Sequence, residues 1–434
     1  MNYRFYNAKI LTMETTDIIE GELWVQGDKI LYVGKGGDAA AICRSLSIES
    51  ILWDREINCN GNLLMPGFKN AHTHSAMTFL RSYADDLPLQ DWLFQKVFPM
   101  EDKLDGEMIY HLTKLAVLEY LTSGITSIFD MYLTPETTAK ACVEMGMRCV
   151  QVSGTSGQDN FEQSLKTMEE RYHSLNDFDP LHSYFIGFHA EYTCSRALLE
   201  QVAAMAHKYQ APVFTHLCET KAEVEGCRER YGMSPVKLLD SIGMFDYGGG
   251  GYHCVWLDEE DMDIFAKRNL SVVTNPGSNT KLASGIAPIS EYLKRGINVA
   301  IGTDGPASNN CLDMFREMFL VTGLAKLREQ DAAAVDALEV LKMATVNGAK
   351  AMNLPDADVL AAGKQADLIM IDLQQPNMQP LNNIAKNIVY SGSKTNVKMT
   401  MIRGRILYEN GQFEKEIDEE KIYRKANEII DSLR

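Results

Sequence analysis

The sequence has no CxxC pair. Its nine cysteines are an odd number and sit singly inside strand-like or helical runs, Cys142, Cys194, Cys218 and Cys254 among them. That argues against a disulfide framework or a cysteine-built zinc site and predicts reduced, mostly buried thiols in a cytoplasmic protein. No apolar run approaches the ~18–20 residues of a membrane span. The opening residues, 1–16, show no basic segment leading into a long apolar one, so no signal peptide is expected. Basic residues are in deficit, 42 against 59 acidic, for a net charge of −17. A chain this acidic is a poor partner for nucleic acid or an anionic membrane. Tandem repeats and low-complexity tracts are missing as well. What is present is an ordinary globular composition, 45% hydrophobic and 23% charged, over 434 residues. That length exceeds one compact core and predicts one large domain with a smaller companion.

Residues 1–57 read as short strands joined by turns, for example 3–13, 22–26 and 29–34. Beyond them, short apolar runs alternate with amphipathic helical stretches. Candidate strands fall at 63–72, 124–131, 148–154, 184–191, 212–219, 251–257, 270–276 and 298–304, with helices such as 107–122, 134–146, 196–209, 221–241 and 286–295 between them. Eight βα units in roughly 250–300 residues match the size of a (β/α)8 barrel, although a doubly wound sheet uses the same alternation. Strand character returns from about 363, and a last helix begins near 418 with Ile422, Ala426, Ile429, Ile430 and Leu433 at helical spacing. The expected fold is α/β: a (β/α)8 TIM barrel over 58–362, with a small β-sandwich domain formed from both chain ends, 1–57 and 363–434.

Barrels of this kind place their chemistry at the C-terminal ends of the strands, so the polar residues there carry the functional reading. The first strand ends in His72-Thr73-His74. Residues i and i+2 of an extended chain share a face, which puts both imidazoles into one mouth. His216 ends the fifth strand with Glu219 three residues on, His253 lies in the sixth, and Asp304 ends the eighth. Three imidazoles and a carboxylate from the first, fifth and eighth strands form a nitrogen/oxygen set suited to zinc or a similar divalent ion, with one position left for water. A lone HxH is a weak signal; five ligand-type residues at matching strand ends are a strong one. His111, His173, His182 and His207 fall on helical or loop stretches and read as surface or structural residues.

These same segments carry a family resemblance. PGFKNAHTH (66–74), HLCET (216–220), HCVWL (253–257), NPGSNTKLASGIAP (275–288), GTDGPASNN (302–310) and GKQADLIMID (363–372), in this order, resemble the amidohydrolase superfamily. Within it they resemble the aminohydrolase branch, which includes 5-methylthioadenosine/S-adenosylhomocysteine deaminases, guanine deaminases and triazine hydrolases. LPLQDWL (87–93) followed by FPMED (98–102) is most similar to the methylthioadenosine/S-adenosylhomocysteine deaminases. The resemblance spans essentially the whole chain.

The resemblance implies one divalent metal ion, zinc with iron or manganese as alternatives, held by His72, His74, His216 and Asp304. Many binuclear relatives carry a carboxylated lysine at the end of the fourth strand, where this sequence has His189; that favours a single ion and disfavours a cyclic-amide hydrolase. Hydrolytic deamination of a ring needs attack by water, protonation of a ring nitrogen and protonation of the departing amine. Asp304 would orient or deprotonate the water, Glu219 would shuttle the protons, and His253 would orient the attacking oxygen. Trp92 would cover the base or its 5′ substituent, Glu101 would accept from two ribose hydroxyls, and His189 would contact the base or sugar.

One departure stands out. Relatives that act on S-adenosylhomocysteine place an arginine at the end of the third strand, and here that position is Ser153, with no second arginine in 157–162. A small-molecule nucleoside is thus the expected substrate: 5′-methylthioadenosine, 5′-deoxyadenosine or adenosine, with S-adenosylhomocysteine less well served. The alternative is a free base or triazine, as in guanine deaminases and chlorohydrolases; a catalytically silent scaffold would have lost ligands that are all present. Relatives also imply a homo-oligomer.

Overall fold

The computed structural model describes residues 1–433. Eight parallel strands form one sheet in chain order: Phe68–Thr73, Ile125–Asp130, Arg148–Val152, His182–Ala190, Val213–Leu217, Gly249–His253, Ser271–Thr274 and Asn298–Ile301. The sheet curls until its last strand meets its first. The Thr303 backbone N–H donates to Asn70 Oδ1 at 2.8 Å, and the Asp304 N–H donates to the His72 carbonyl at 3.0 Å. Gly302 permits this approach, since a Cβ there would stand 2.7 Å from the His72 nitrogen. Ala71, Phe129, Val150, Phe185, Phe214, Tyr252, Val273 and Ala300, one from each strand, pack together as the filled interior. The (β/α)8 barrel expected from the alternation is therefore present.

Helices cover the outside, several of them started by a side-chain cap. Asp105 accepts from the Met108 N–H to open Gly106–Thr122, whose buried face includes Ile109, Leu112, Ala116, Val117 and Leu121. Ser195 caps Arg196–Tyr209 in the same way. The single helix expected over 221–241 is two, Lys221–Tyr231 and Pro235–Ser241. Gly232 closes the first in a left-handed conformation, and Ser234 with Pro235 opens the second, so stop and start signals adjoin. His182, expected on a helix or loop, begins the fourth strand instead. It is buried, with Nδ1 bonded to the Leu175 carbonyl and Nε2 to Gln151, a structural role.

The two chain ends build a separate nine-stranded mixed sheet. Its centre is Asn2–Leu11, flanked by Ile18–Gln26 on one side and by Leu63–Pro66, then Leu368–Ile371 and Val397–Ile402, on the other. The strand read as 63–72 is thus divided. Leu63–Pro66 pairs with Leu368–Ile371 in this sheet, and only from Phe68 does the chain enter the barrel. Gly67 marks the crossing, where a Cβ would fall 2.1 Å from the Thr126 side chain. The final helix, Glu419–Leu433, lies against Gly106–Thr122, with Ala426, Ile429 and Leu433 in one cluster with Leu112 and Trp92.

The junction between sheet and barrel contains a buried ion pair. Arg148, at the start of the third barrel strand, donates from Nε to Asp367 Oδ2 at 2.7 Å, and the Asp367 side chain is fully buried. Burial pushes the Asp367 carboxyl up, but Arg148 and then Lys69 outweigh it and hold the group below its ordinary value. The pair is therefore complete above about pH 4 and is lost as pH falls through the lowered folded value. Asp367→Ala would leave the Arg148 guanidinium buried without a counter-ion. It is expected to cost ~3–5 kcal/mol in denaturant unfolding, and to flatten the loss of stability seen in the parent protein below about pH 4.

Candidate active site

The barrel strands do not run straight into their loops. Cys218, His253, Cys254 and Asp304 all take left-handed backbone conformations, with φ of 50, 67, 47 and 58°. Such values are uncommon outside glycine and cluster where structure over-determines the backbone. Here they end the fifth, sixth and eighth strands abruptly, around the mouth that holds the polar side chains. Glu223 secures the first of these turns. Its two carboxylate oxygens accept from the Cys218 and Glu219 N–H groups at 2.7 and 2.8 Å. Burial, followed by the Glu219 carboxylate, pushes Glu223 up to about 8.

The imidazoles converge as the HxH spacing predicts. His72 Nε2 and His74 Nε2 lie 3.6 and 3.2 Å from Asp304 Oδ1, and His216 Nε2 is 3.4 Å from His74 Nε2. His216 Nδ1 is bonded to the His189 carbonyl at 2.7 Å and His74 Nδ1 to the Met131 carbonyl. A carbonyl can only accept, so both Nδ1 atoms carry hydrogen and both Nε2 atoms keep a lone pair for the centre. His72 stacks on Tyr252 at 3.7 Å and is fully buried, yet neither of its ring nitrogens makes a hydrogen bond. A buried polar atom without a partner is costly, and a cation at this point would satisfy Nε2. Burial, reinforced by the neighbouring imidazoles, holds His72 and His216 well below the ordinary histidine range, so both stay neutral as ligands require. Burial opposes charge on His74, but Asp304 outweighs it and pushes the group up to about 9, which reflects a field that favours positive charge there. The donors fall into two triples sharing His72, one with His74 and Asp304, the other with His216 and His253, each with its ligand atoms within 4.8 Å of one another.

Asp304 is the most constrained member. Its Oδ2 accepts from Ser278 Oγ at 2.7 Å and Ser308 Oγ at 2.8 Å, and its Oδ1 from the Gly305 N–H at 2.7 Å. Burial works against ionisation, but His74 and then His253 and His72 hold the carboxyl well below the usual range. His253 is oriented by Asn279, whose Oδ1 lies 2.8 Å from Nδ1. That leaves Nε2 pointing between Glu219 Oε2, 3.8 Å away, and Asp304 Oδ2, 3.9 Å away. Burial raises the Glu219 carboxyl; His253 opposes the rise and Asp304 adds to it. Ser278, Ser308, Asn279, Glu223 and Tyr252 were not singled out in the sequence. The first three lie inside the motif segments at 275–288 and 302–310, but their partners are set by folding alone.

The remaining site residues line the same cavity of about 750 Å³. Trp92 and Glu101 come from the excursion after the first strand, on the short helices Leu89–Trp92 and Phe98–Glu101 with a turn of π-helix between them. Trp92 is buried. The Glu101 carboxyl is pushed up by burial, against the adjacent Tyr132 hydroxyl and His74. His189 from the fourth strand and Ser153, just past the third, complete the wall. Of the ten residues selected from the sequence, all but His72 line this cavity, and His72 sits directly behind His74 and His216.

A closed parallel barrel with an HxH pair, a third imidazole and an aspartate at its strand ends defines a class, the metal-dependent barrel hydrolases. The family model described as "Amidohydrolase family" matches residues 63–407, and the chain belongs to that family. It is 38% identical over 430 residues to a 5-methylthioadenosine/S-adenosylhomocysteine deaminase of Caldicellulosiruptor saccharolyticus, covering 99% of this chain and 98% of the relative. It is 38% identical over 385 residues to a 5′-deoxyadenosine deaminase of Methanopyrus kandleri, covering 88% and 89% of the two chains. Among solved structures, an adenosine deaminase from Xanthomonas campestris with bound zinc superposes with a TM-score of 0.92 at 31% identity, covering 100% of this chain and 98% of the other. Among the described residues no helix is long and apolar enough to cross a membrane.

If a cation satisfies His72, it must also tie the first, fifth and eighth strands together. Zn²⁺ added to metal-stripped protein is expected to raise the melting temperature, with a stabilisation of about 4 kcal/mol at a thousandfold excess over Kd. His72→Ala should abolish that shift.

Proposed function

We propose that the chain is a metal-dependent hydrolytic deaminase of adenine nucleosides with 5′ substituents, such as 5′-methylthioadenosine, 5′-deoxyadenosine and adenosine, releasing ammonia and the inosine analogue. The barrel over 58–362 is its catalytic domain, supported by the composite of 1–57 and 363–434. The observation that carries the reading is the meeting of Glu219, His253 and Asp304 within 4 Å contacts at one end of a cavity whose wall also holds Trp92 and Glu101. The names of the similar deaminases support the same substrate class.

His72, His74, His216 and Asp304 would hold a single divalent ion, zinc being the best match to this donor set. When bound, such an ion supplies Lewis-acid activation of water near neutral pH. Asp304, fixed by Ser278 and Ser308, is placed to orient the attacking water and accept its proton. Glu219, its carboxyl raised by burial, is placed to give a proton to the ring nitrogen beside the attacked carbon. It then stands as a carboxylate able to take a proton from the new hydroxyl and pass it to the departing amine. His253, its ring fixed by Asn279, steers the attacking oxygen through Nε2. Trp92 excludes water from the base, and one Glu101 carboxylate accepts from both ribose hydroxyls. His189 and Ser153 border the sugar side.

Mixing the zinc-loaded protein with 5′-methylthioadenosine, adenosine, guanine and melamine separates the readings by ammonia release. Turnover of the nucleosides alone is expected; activity confined to free bases or triazines would overturn the nucleoside reading. Glu219→Gln should lower kcat by about 10²–10⁴-fold with metal content unchanged. Glu101→Ala should lower kcat/KM for nucleosides by about 10–100-fold, as loss of charged hydrogen bonds predicts.

A further inference from the structure

The cavity is larger than its chemical end. Beyond the metal ligands, Trp92 and Glu101, it continues past Ser153 and Thr155 to the inward face of the helix Glu162–Asn176, where Ser164, Thr167 and Arg171 line it. Arg171 is held by Glu136 of the neighbouring helix Pro135–Glu144, Nε to Oε1 at 2.6 Å and Nη2 to Oε2 at 3.2 Å. Both side chains stay in contact with solvent, 30% and 51% exposed, so each can accept a further partner. Among the described residues nothing accepts from Arg171 Nη1. The far end of the cavity is therefore lined with hydroxyls and closed by Arg171, with its partner Glu136 beside it but outside the lining.

That pair selects by charge pattern. An apolar 5′ substituent gains nothing from it. A bare anion such as a 5′-phosphate is drawn by Arg171 but repelled by Glu136 beside it, which weakens its hold. A group carrying both charges can match both: its carboxylate takes the outer edge of the guanidinium, where Arg geometry favours two parallel hydrogen bonds, and its ammonium meets the Glu136 carboxylate. With adenine at Glu219 and the ribose at Glu101, a 5′ tail leads away from the metal toward this end. Resting on the deaminase reading above, we infer that Arg171 and Glu136 form a binding subsite for an α-amino acid group at the end of the 5′ substituent of an adenine nucleoside. This subsite lies on helices outside the barrel, not at the end of the third strand, where Ser153 stands.

The test compares kcat/KM of the zinc-loaded protein for three compounds: 5′-methylthioadenosine with no charged tail, S-adenosylhomocysteine with the zwitterion, and 5′-(3-carboxypropylthio)-5′-deoxyadenosine with the carboxylate alone. Arg171→Met is expected to lower the ratio of S-adenosylhomocysteine to 5′-methylthioadenosine turnover by about 10–100-fold, mostly through KM. Glu136→Gln should raise turnover of the carboxylate-only compound relative to the zwitterion. A ratio unmoved by Arg171→Met, or a carboxylate-only preference unmoved by Glu136→Gln, would overturn the subsite while leaving the deaminase intact. Failure of the parent protein to deaminate 5′-methylthioadenosine at all would overturn the deaminase reading, and the subsite with it. Both residues are solvent-contacting, and thermal melts of the variants establish that each is folded.

Discussion

One buried negative charge, Asp304, sets the terms for everything around it. A carboxylate taken out of water is stable only where hydrogen bonds and positive charge replace its hydration. Ser278, Ser308 and the Gly305 N–H provide the first, and a cation held beside His72 and His74 would provide the second. These partners arrive from different strands: the serines follow the seventh and eighth, and His74 follows the first. The closure of the barrel at Gly302 and Asn70 is what brings them to one place. That charge acts on every neighbour: it opposes the burial that keeps His72 and His216 neutral, outweighs burial at His74, and adds to the burial that raises Glu219.

Much of this was legible before any coordinates. HxH declares its geometry because a strand has a period of two, and the alternation of short apolar runs with amphipathic helices declares a barrel. What escaped did so for physical reasons. The crossing at Gly67 escapes notice although Pro66-Gly67 and the polar residues after it mark the place, because the strands on both sides are buried throughout and read as one continuous run. The break at Gly232–Pro235 was signalled by its residue types but outweighed by continuous helical spacing across it. Ser278, Ser308 and Asn279 are small polar residues in loops, and such residues commonly serve as caps or turns. Only the distances to Asp304 and His253 distinguish them. Arg171 is one charge among several in the run EERYH (169–173), and no local pattern says that it faces inward.

Ser153 illustrates how a departure from a family pattern gains meaning from structure. Read in sequence alone, the missing arginine argues against a charged tail on the substrate. In the fold, the third strand ends in a small hydroxyl that leaves the cavity open past it, and the wall beyond carries Arg171, paired with Glu136 of the neighbouring helix. Recognition of a tail is a property of the space and its charge pattern, and different elements of the chain can supply it. The same holds at the other wall, where Trp92 and Glu101 are presented by an irregular excursion instead of the barrel itself.

The passage of one extended segment through two sheets has a consequence for how the molecule comes into being. Leu63–Pro66 finds its partner in Leu368–Ile371, some three hundred residues later in the chain, and the very next strand carries His72 and His74. The residues that begin the metal-binding mouth are thus anchored to a sheet that stays incomplete until nearly the whole polypeptide has left the ribosome. The first barrel strand can pair early with Ile125–Asp130 on one side, but on the other it must wait for the segment that carries Asp304, a topology rich in distant contacts and slow to close. During synthesis the apolar run at 63–65 can pair early with Asn2–Leu11, but its other edge stays open until Leu368–Ile371 emerges, an interval that exposes the chain to aggregation.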